Sequence, residues 1–301
     1  MSANLGREVL LHQAVRTGYR WQELARRLGS FLLFLLCAVA VFVLGSNYYT
    51  IFPTNKNLYY EGGVTAFFLI AAVILRRQPR LSVYWPIAYA FFVAAAVTLV
   101  TSLTVGWRDA LFAKIGIIAR TNQEAAFGKV FEAVITITTI LLLSRLAGMR
   151  PSSLYIQRGN LKWGLLIGLG TLLNFSSSSL MFFASRYSDI EKLGSAILMG
   201  LIFSLANGFM EELWLRGLFL RKLTPVLGST TTIVLTGLWF ALFHLGSVYM
   251  QPAARLVFLI NLATFGVAWG VIMHKTDSWI APGLMHAASD FFLFIALLSN
   301  T

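Results

Sequence analysis

Six charged or imidazole side chains fall inside hydrophobic stretches of this sequence: Glu211, Glu212, Arg216, His244, His286 and Asp290. Placing an ionisable group in a membrane-spanning stretch is costly, so such a residue marks a functional site with a partner nearby. These residue types suit acid–base chemistry at a carbonyl. A carboxylate in a low-dielectric cavity becomes a usable base, and donors aimed at a developing oxyanion stabilise the transition state. Spacing then divides the roles. Residues four apart on a helix share a face, which pairs Glu212 with Arg216, His286 with Asp290 and Asn207 with Glu211. Adjacent residues point about 100° apart, so Glu211 and Glu212 cannot do the same job. We read Glu212 as neutralising Arg216 in lipid, and Glu211 as facing the bundle interior. The alternative is a polar cluster that merely joins helices.

The elements that must position these residues are membrane helices. Hydrophobic residues make up 57% of the 301 and charged residues 12%, against about a quarter charged in soluble domains. Several apolar runs approach or exceed the roughly 18–20 residues that cross a bilayer. The expected fold is an all-α polytopic transmembrane helical bundle of eight or nine spans. The nine read here are 29–52, 60–75, 83–105, 130–147, 161–184, 194–220, 230–250, 256–273 and 279–299. Residues 107–129 mix charged and apolar side chains, suggesting an interfacial amphipathic helix, with a plain loop as the alternative. A basic cytosolic leader (1–28, with Arg7, Arg16, Arg20, Arg26 and Arg27) precedes an N-terminal transmembrane extension (29–150). A second unit, 151–301, holds the six polar residues.

Depth gives an independent check on whether they meet. Glu211 lies ten residues before Arg221, about 15 Å at helical rise, and His286 and Asp290 lie roughly 10–17 Å beyond Trp279. His244, fourteen residues into its span, is about 21 Å deep. Three helices thus bring polar groups to the inner half or middle of the membrane, where one cavity could hold them.

The other acids need no such account. Glu8, Glu23, Glu61, Asp109, Glu124, Asp189, Glu191 and Asp277 read as solvated leader or loop residues. Glu132 reads as a first-turn residue of the fourth span, favoured by the helix dipole. His12 belongs to the leader and His274 to an interface. Asn174 and Ser176 to Ser179 interrupt the fifth span, where small residues permit close helix approach or line a cavity.

Charge distribution sets topology and narrows partners. With the N-terminus in the cytosol, inner segments hold fifteen Lys or Arg and outer segments eight, leaving out Arg216. That favours N-terminus in, C-terminus out, in an integral membrane protein expected in the cell membrane. The net charge of +12 is explained by these loops, and no aromatic-basic motif points to nucleic acid. Cys37 is the sole cysteine, which excludes an intrachain disulfide and a thiolate metal cage.

Three motifs carry a resemblance. Glu211-Glu212-Leu213-Trp214-Leu215-Arg216 reads EExxxR, Phe240 to His244 reads FxxxH, and His286 to Asp290 reads HxxxD. In this order, on separate hydrophobic helices, they resemble the CPBP family: type II CAAX prenyl endopeptidases with related bacteriocin-processing and immunity proteins. Gly266, Gly270, Trp279, Ala281 and Pro282 fit the same pattern. The resemblance covers about Gly194 to Phe294.

It implies a glutamate-type intramembrane endopeptidase, a hydrolase cutting a membrane-anchored or lipid-modified peptide. By position, Glu211 and His244 would activate a water, and His286 with residue 290 would bind the oxyanion. Glu212 with Arg216 would orient the site, and Asn207 and Phe240 would line the substrate cavity. Asp290 departs from the Asn of most members, and an ionised carboxylate cannot donate to an oxyanion. No cofactor is expected, with one alternative open: zinc held by Glu211, His244 and His286, although the HExxH signature is missing. Two other classes stay in play. One is a non-proteolytic immunity or regulatory protein on this scaffold. The other is a proton relay or transporter, against which stands the lack of an inverted repeat.

Overall fold

The computed structural model describes residues 21–45, 54–246 and 252–298. Leader positions 1–20, including Arg7, Glu8, His12, Arg16 and Arg20, lie outside the described residues. So do the expected ends of the first, seventh and ninth spans. Among the described residues the regular structure is helical throughout. Nine segments are long and apolar enough to cross a membrane; the protein is an integral membrane protein.

We number the helices in chain order. They are α1 (Trp21–Val43), α2 (Thr54–Arg77), α3 (Trp85–Lys114), α4 (Asn122–Leu146), α5 (Leu161–Phe183), α6 (Ile190–Glu211), α7 (Leu220–Leu227), α8 (Ser229–Phe243), α9 (Pro252–Thr276) and α10 (Ile280–Leu298). α6 runs into a π-helical turn at Glu212–Gly217 before α7, so one 38-residue stretch, Ile190–Leu227, is a single candidate span.

Local chemistry sets the boundaries. Asp189 caps α6 by accepting the Lys192 amide at 2.7 Å, which holds its carboxyl below the usual range. Gly228, at φ +80°, ends α7 and turns the chain into α8. α1 begins at Trp21, eight residues before the expected start, because Glu23 pairs with Arg26 and Arg27 one turn along and lets charged residues join the helix.

Two other expectations are corrected. Residues 107–129 are neither a separate interfacial helix nor a plain loop: α3 extends to Lys114 and α4 starts at Asn122, with Thr121 as its cap. Glu132 therefore lies well inside α4, bonded to Lys129 at 2.7 Å, rather than in a first turn. Glu61 is no loop residue. It is 2% exposed within α2, where Asn57 and Ser102 donate to it.

α10 is the central pillar of the second unit, packed against α5, α6 and α9, while α8 pairs with α9 and α4 lies along α6. α2 pairs with α3, and α1 closes the bundle by packing Phe42 against Trp214, Phe219 and Phe243. Close approach depends on small residues. A Cβ at Gly208 would sit 2.7 Å from Ala287 N and Gly283 O, so only glycine lets α6 seat this tightly on α10. The α4–α5 and α9–α10 connections are stitched together. Trp279 donates to Tyr155 O at 3.1 Å, Asn160 to Thr276 O at 2.7 Å, and Ser278 Oγ to Gln157 O at 2.8 Å. Arg221 pairs with Asp277 at the same place. These connections share one face of the bundle, as the alternating topology requires.

Candidate active site

Where Gly208 brings α6 onto α10, the π turn after Glu211 presents two successive carboxylates to one imidazole. His286 Nδ1 lies 3.0 Å from Glu212 Oε1, and its Nε2 lies 3.8 Å from Glu211 Oε2 and 3.6 Å from Asp290 Oδ1. The two glutamates thus approach opposite edges of the ring, as their angular separation requires. π turns occur disproportionately at functional sites.

Glu212 does pair with Arg216, and both side chains are fully buried. It also accepts from His286, a second contact beyond the expected one. Arg216 reaches further. Its Nε donates to Gly266 O at 3.2 Å, and its guanidinium lies over the rings of Phe240 (4.9 Å) and Trp269 (5.4 Å). Both are favourable sites for a desolvated cation. A buried pair stays charged only when hydrogen bonds satisfy what is left over, and this one has backbone, ring and imidazole partners.

Asp290 Oδ2 accepts from Asn207 Nδ2 at 2.8 Å, so Asn207 is tied to the HxxxD motif. The departure at position 290 is thus matched by an amide alongside it. Phe240 stands edge-on to His286 at 5.2 Å and 90°. His244 is placed differently from expectation: it ends α8 rather than lying mid-span, and a tight turn, His244–Gly246, follows. Its Nδ1 bonds Phe240 O at 2.8 Å, and its ring packs on Phe240 and Phe243. It joins the cluster through Phe240.

Residues of α9 complete the setting, and the sequence reading did not place them in the site. Trp269 stacks on His286, and Phe265 stacks on Trp269 at 5.8 Å and 13°. A Cβ at Gly266 would meet Arg216 Nη2 at 2.8 Å and Gly237 Cα at 2.9 Å, so small residues on α8 and α9 let the guanidinium thread between them. No titratable group flags either position; an apolar aromatic beside glycines reads as packing. Ser177 and Ser179, by contrast, bond carbonyls of their own helix, which accounts for their hydroxyls without a cavity. His274 is exposed, in keeping with an interface.

Several buried polar atoms of the cluster have no hydrogen-bond partner: Glu211 Oε2, Glu212 Oε2, Asn207 Oδ1 and Arg216 Nη2. Unmet valence of this kind belongs where a reactant or water binds. Among the described residues, no three His, Cys, Asp or Glu side chains are grouped as a metal ion requires. The zinc trio Glu211, His244 and His286 does not fit that need.

Residues 193–292 match the family model described as Type II CAAX prenyl endopeptidase Rce1-like. This segment is an Rce1-like domain. It begins in the first turn of α6 and ends in α10, so it encloses every residue of the cluster and leaves α1 to α5 outside. Neither the curated proteins nor the solved structures compared with the chain gave a match. An Rce1-like domain puts the protein in a family of membrane proteases.

Proposed function

We propose that the Rce1-like domain hydrolyses a peptide bond in a membrane-anchored or lipid-modified substrate, with Glu211 as the general base. One observation carries this reading: Glu211 Oε2 is buried and unpartnered, and it faces His286 Nε2 and the neighbouring Asp290 across a gap that a water fits.

The chemistry follows from the hydrogen bonds. Glu211 takes a proton from water as its oxygen attacks the peptide carbonyl carbon, and later passes it to the departing amine. The products are a carboxylic acid and an amine. His244 donates Nδ1–H to Phe240 O, which leaves the Nε2 lone pair to orient the attacking water. His286 donates Nδ1–H to Glu212; when it also carries a proton on Nε2, it donates to the oxyanion while Glu212 and Asp290 stabilise the imidazolium. Asn207 holds Asp290, and its amide stands in for the Asn that the family usually has at position 290. Arg216 keeps Glu212 ionised.

The test is cleavage of a lipidated-peptide library by the full chain in bilayer nanodiscs, comparing wild type with Glu211→Ala and His244→Ala. Loss of cleavage in both, with folding retained, supports the assignment. Equal cleavage by all three proteins overturns it. A wild type inert on every peptide favours the non-proteolytic reading. The cell membrane as location, with the N-terminus in the cytosol, is part of the same proposal and rests on the charge count.

A further inference from the structure

The N-terminal helices hold a second buried carboxylate, one the proposed reaction does not use. Glu61 Oε1 accepts from Asn57 Nδ2 at 2.8 Å and from Ser102 Oγ at 2.9 Å, whereas the buried Oε2 has no hydrogen-bond partner. Two donors on one oxygen and none on the other is an unbalanced arrangement in a low-dielectric setting. The facing wall is itself unusual. α1 passes into a π turn at Val39–Val43 there, closed by Leu44 N to Val39 O at 2.9 Å, the second such turn in the protein to lie beside a buried glutamate.

Glu61 lines a small cavity of about 10 Å³ together with Ala40, Tyr60 and Val64. That is near the minimum for a single water-sized group. The same three residues also line a groove of about 410 Å³ between α1 and α2, whose other walls include Leu36, Gly63, Phe67 and Phe68. The volume falls within the range of small-molecule pockets. From Tyr59 to Phe68 the groove follows α2 for about 14 Å. Its polar end, at Glu61, is nearer the start of α2, and its apolar end, at Phe68, is nearer the middle of the span Asn57–Arg77. A lipid tail points the same way, from the membrane surface toward the midplane.

We propose that this groove binds a single-chain amphiphile whose head donates a hydrogen bond, its chain lying along α2 and its hydroxyl or amine meeting Glu61 Oε2. An apolar channel ending at an acceptor with no donor selects for that chemistry. The site is separate from the proposed active site, and its test does not depend on proteolysis.

The full chain, purified in detergent, would be loaded with oleyl alcohol, oleylamine or methyl oleate and the retained ligand read by native mass spectrometry. Wild type is expected to retain the alcohol and the amine at least tenfold better than the ester. Glu61→Gln is the sharper test. Asn57 and Ser102 would hold the amide oxygen at the Oε1 position, placing the amide NH₂ where Oε2 was, so preference should invert toward methyl oleate. Gly63→Phe should abolish retention of all three with the fold intact, since a Cβ at Gly63 meets nothing within 4 Å. Equal retention of the three ligands by wild type, as annular lipid would give, overturns the proposal. So does a preference unchanged in Glu61→Gln.

Discussion

The indole of Trp269 lies flat against the imidazole of His286, with 4.1 Å between ring centres and 17° between planes. Phe240 closes the ring's edge, and Arg216 touches both aromatics. The imidazole is therefore held at the angle that aims one nitrogen at Glu212 and the other at Glu211 and Asp290.

Trp269→Leu removes that guide without touching a titratable group. Misorientation of this order costs on the order of 10²-fold in rate. We expect the loss in kcat, with KM little changed, and recovery of much of it in Trp269→Phe. An unaltered kcat in Trp269→Leu would reduce the indole to packing alone. Steady-state cleavage of a lipidated peptide separates these outcomes.

The Glu212–Arg216 pair predicts a split between stability and activity. Removing either partner leaves a buried charge and should cost roughly 3–5 kcal/mol, whereas an apolar replacement of both is often neutral. Arg216→Met alone should lower the unfolding temperature sharply, and Glu212→Leu with Arg216→Met should restore it. Activity should stay lost in the double variant, because His286 Nδ1 no longer has its acceptor. Thermal unfolding in detergent and cleavage, measured side by side, check both halves.

At Gly208 a side chain has nowhere to go. Gly208→Val should destabilise by about 1–3 kcal/mol through overpacking and should lift Glu211 away from His286, lowering cleavage as well. Gly170→Ala, where a Cβ meets nothing within 4 Å, is the matched control and should be neutral or slightly stabilising.

Asp290 offers the most discriminating substitution. Asp290→Asn keeps an oxygen to accept from Asn207 and adds an amide donor toward His286 Nε2, so cleavage should persist. Asp290→Leu removes the acceptor and leaves Asn207 without its partner; the loss should approach that of an oxyanion donor, about 10²-fold. Equal activity in the two variants would show that position 290 plays no polar part.

Much of this site was legible because charge is rare in lipid. Glu211, Glu212, Arg216, His286 and Asp290 stood out by type, and their helical spacing already gave two of the pairs seen in the structure. What spacing could not give was contact between helices. The Glu212–His286 and Asn207–Asp290 bonds join α6 to α10, across 74 and 83 residues of chain. Glu61 was misread because Gly62 and Gly63 follow it and look like a loop, while its burial depends on α3 and α1. Arg108, Asp109 and Lys114 looked like a break after the third span, yet backbone hydrogen bonds carry α3 past them. Trp269 carried no signal at all, since nothing in a hydrophobic run separates a ring that guides an imidazole from one that fills space.

The wide turn at Glu212–Gly217 is also a phase setting. Leu218 N reaches back to Leu213 O at 3.0 Å, one residue further than an α-helix allows. The turn thus behaves as a single added residue, and excising one there would rotate all that follows by about 100°. Deleting Leu213 would leave Glu211 and Glu212 in place and swing the side chain of Arg216 off its carboxylate, away from Gly266 and the two rings. Excising a residue from the α6–α7 stretch outside this turn would shift the phase without that specific loss.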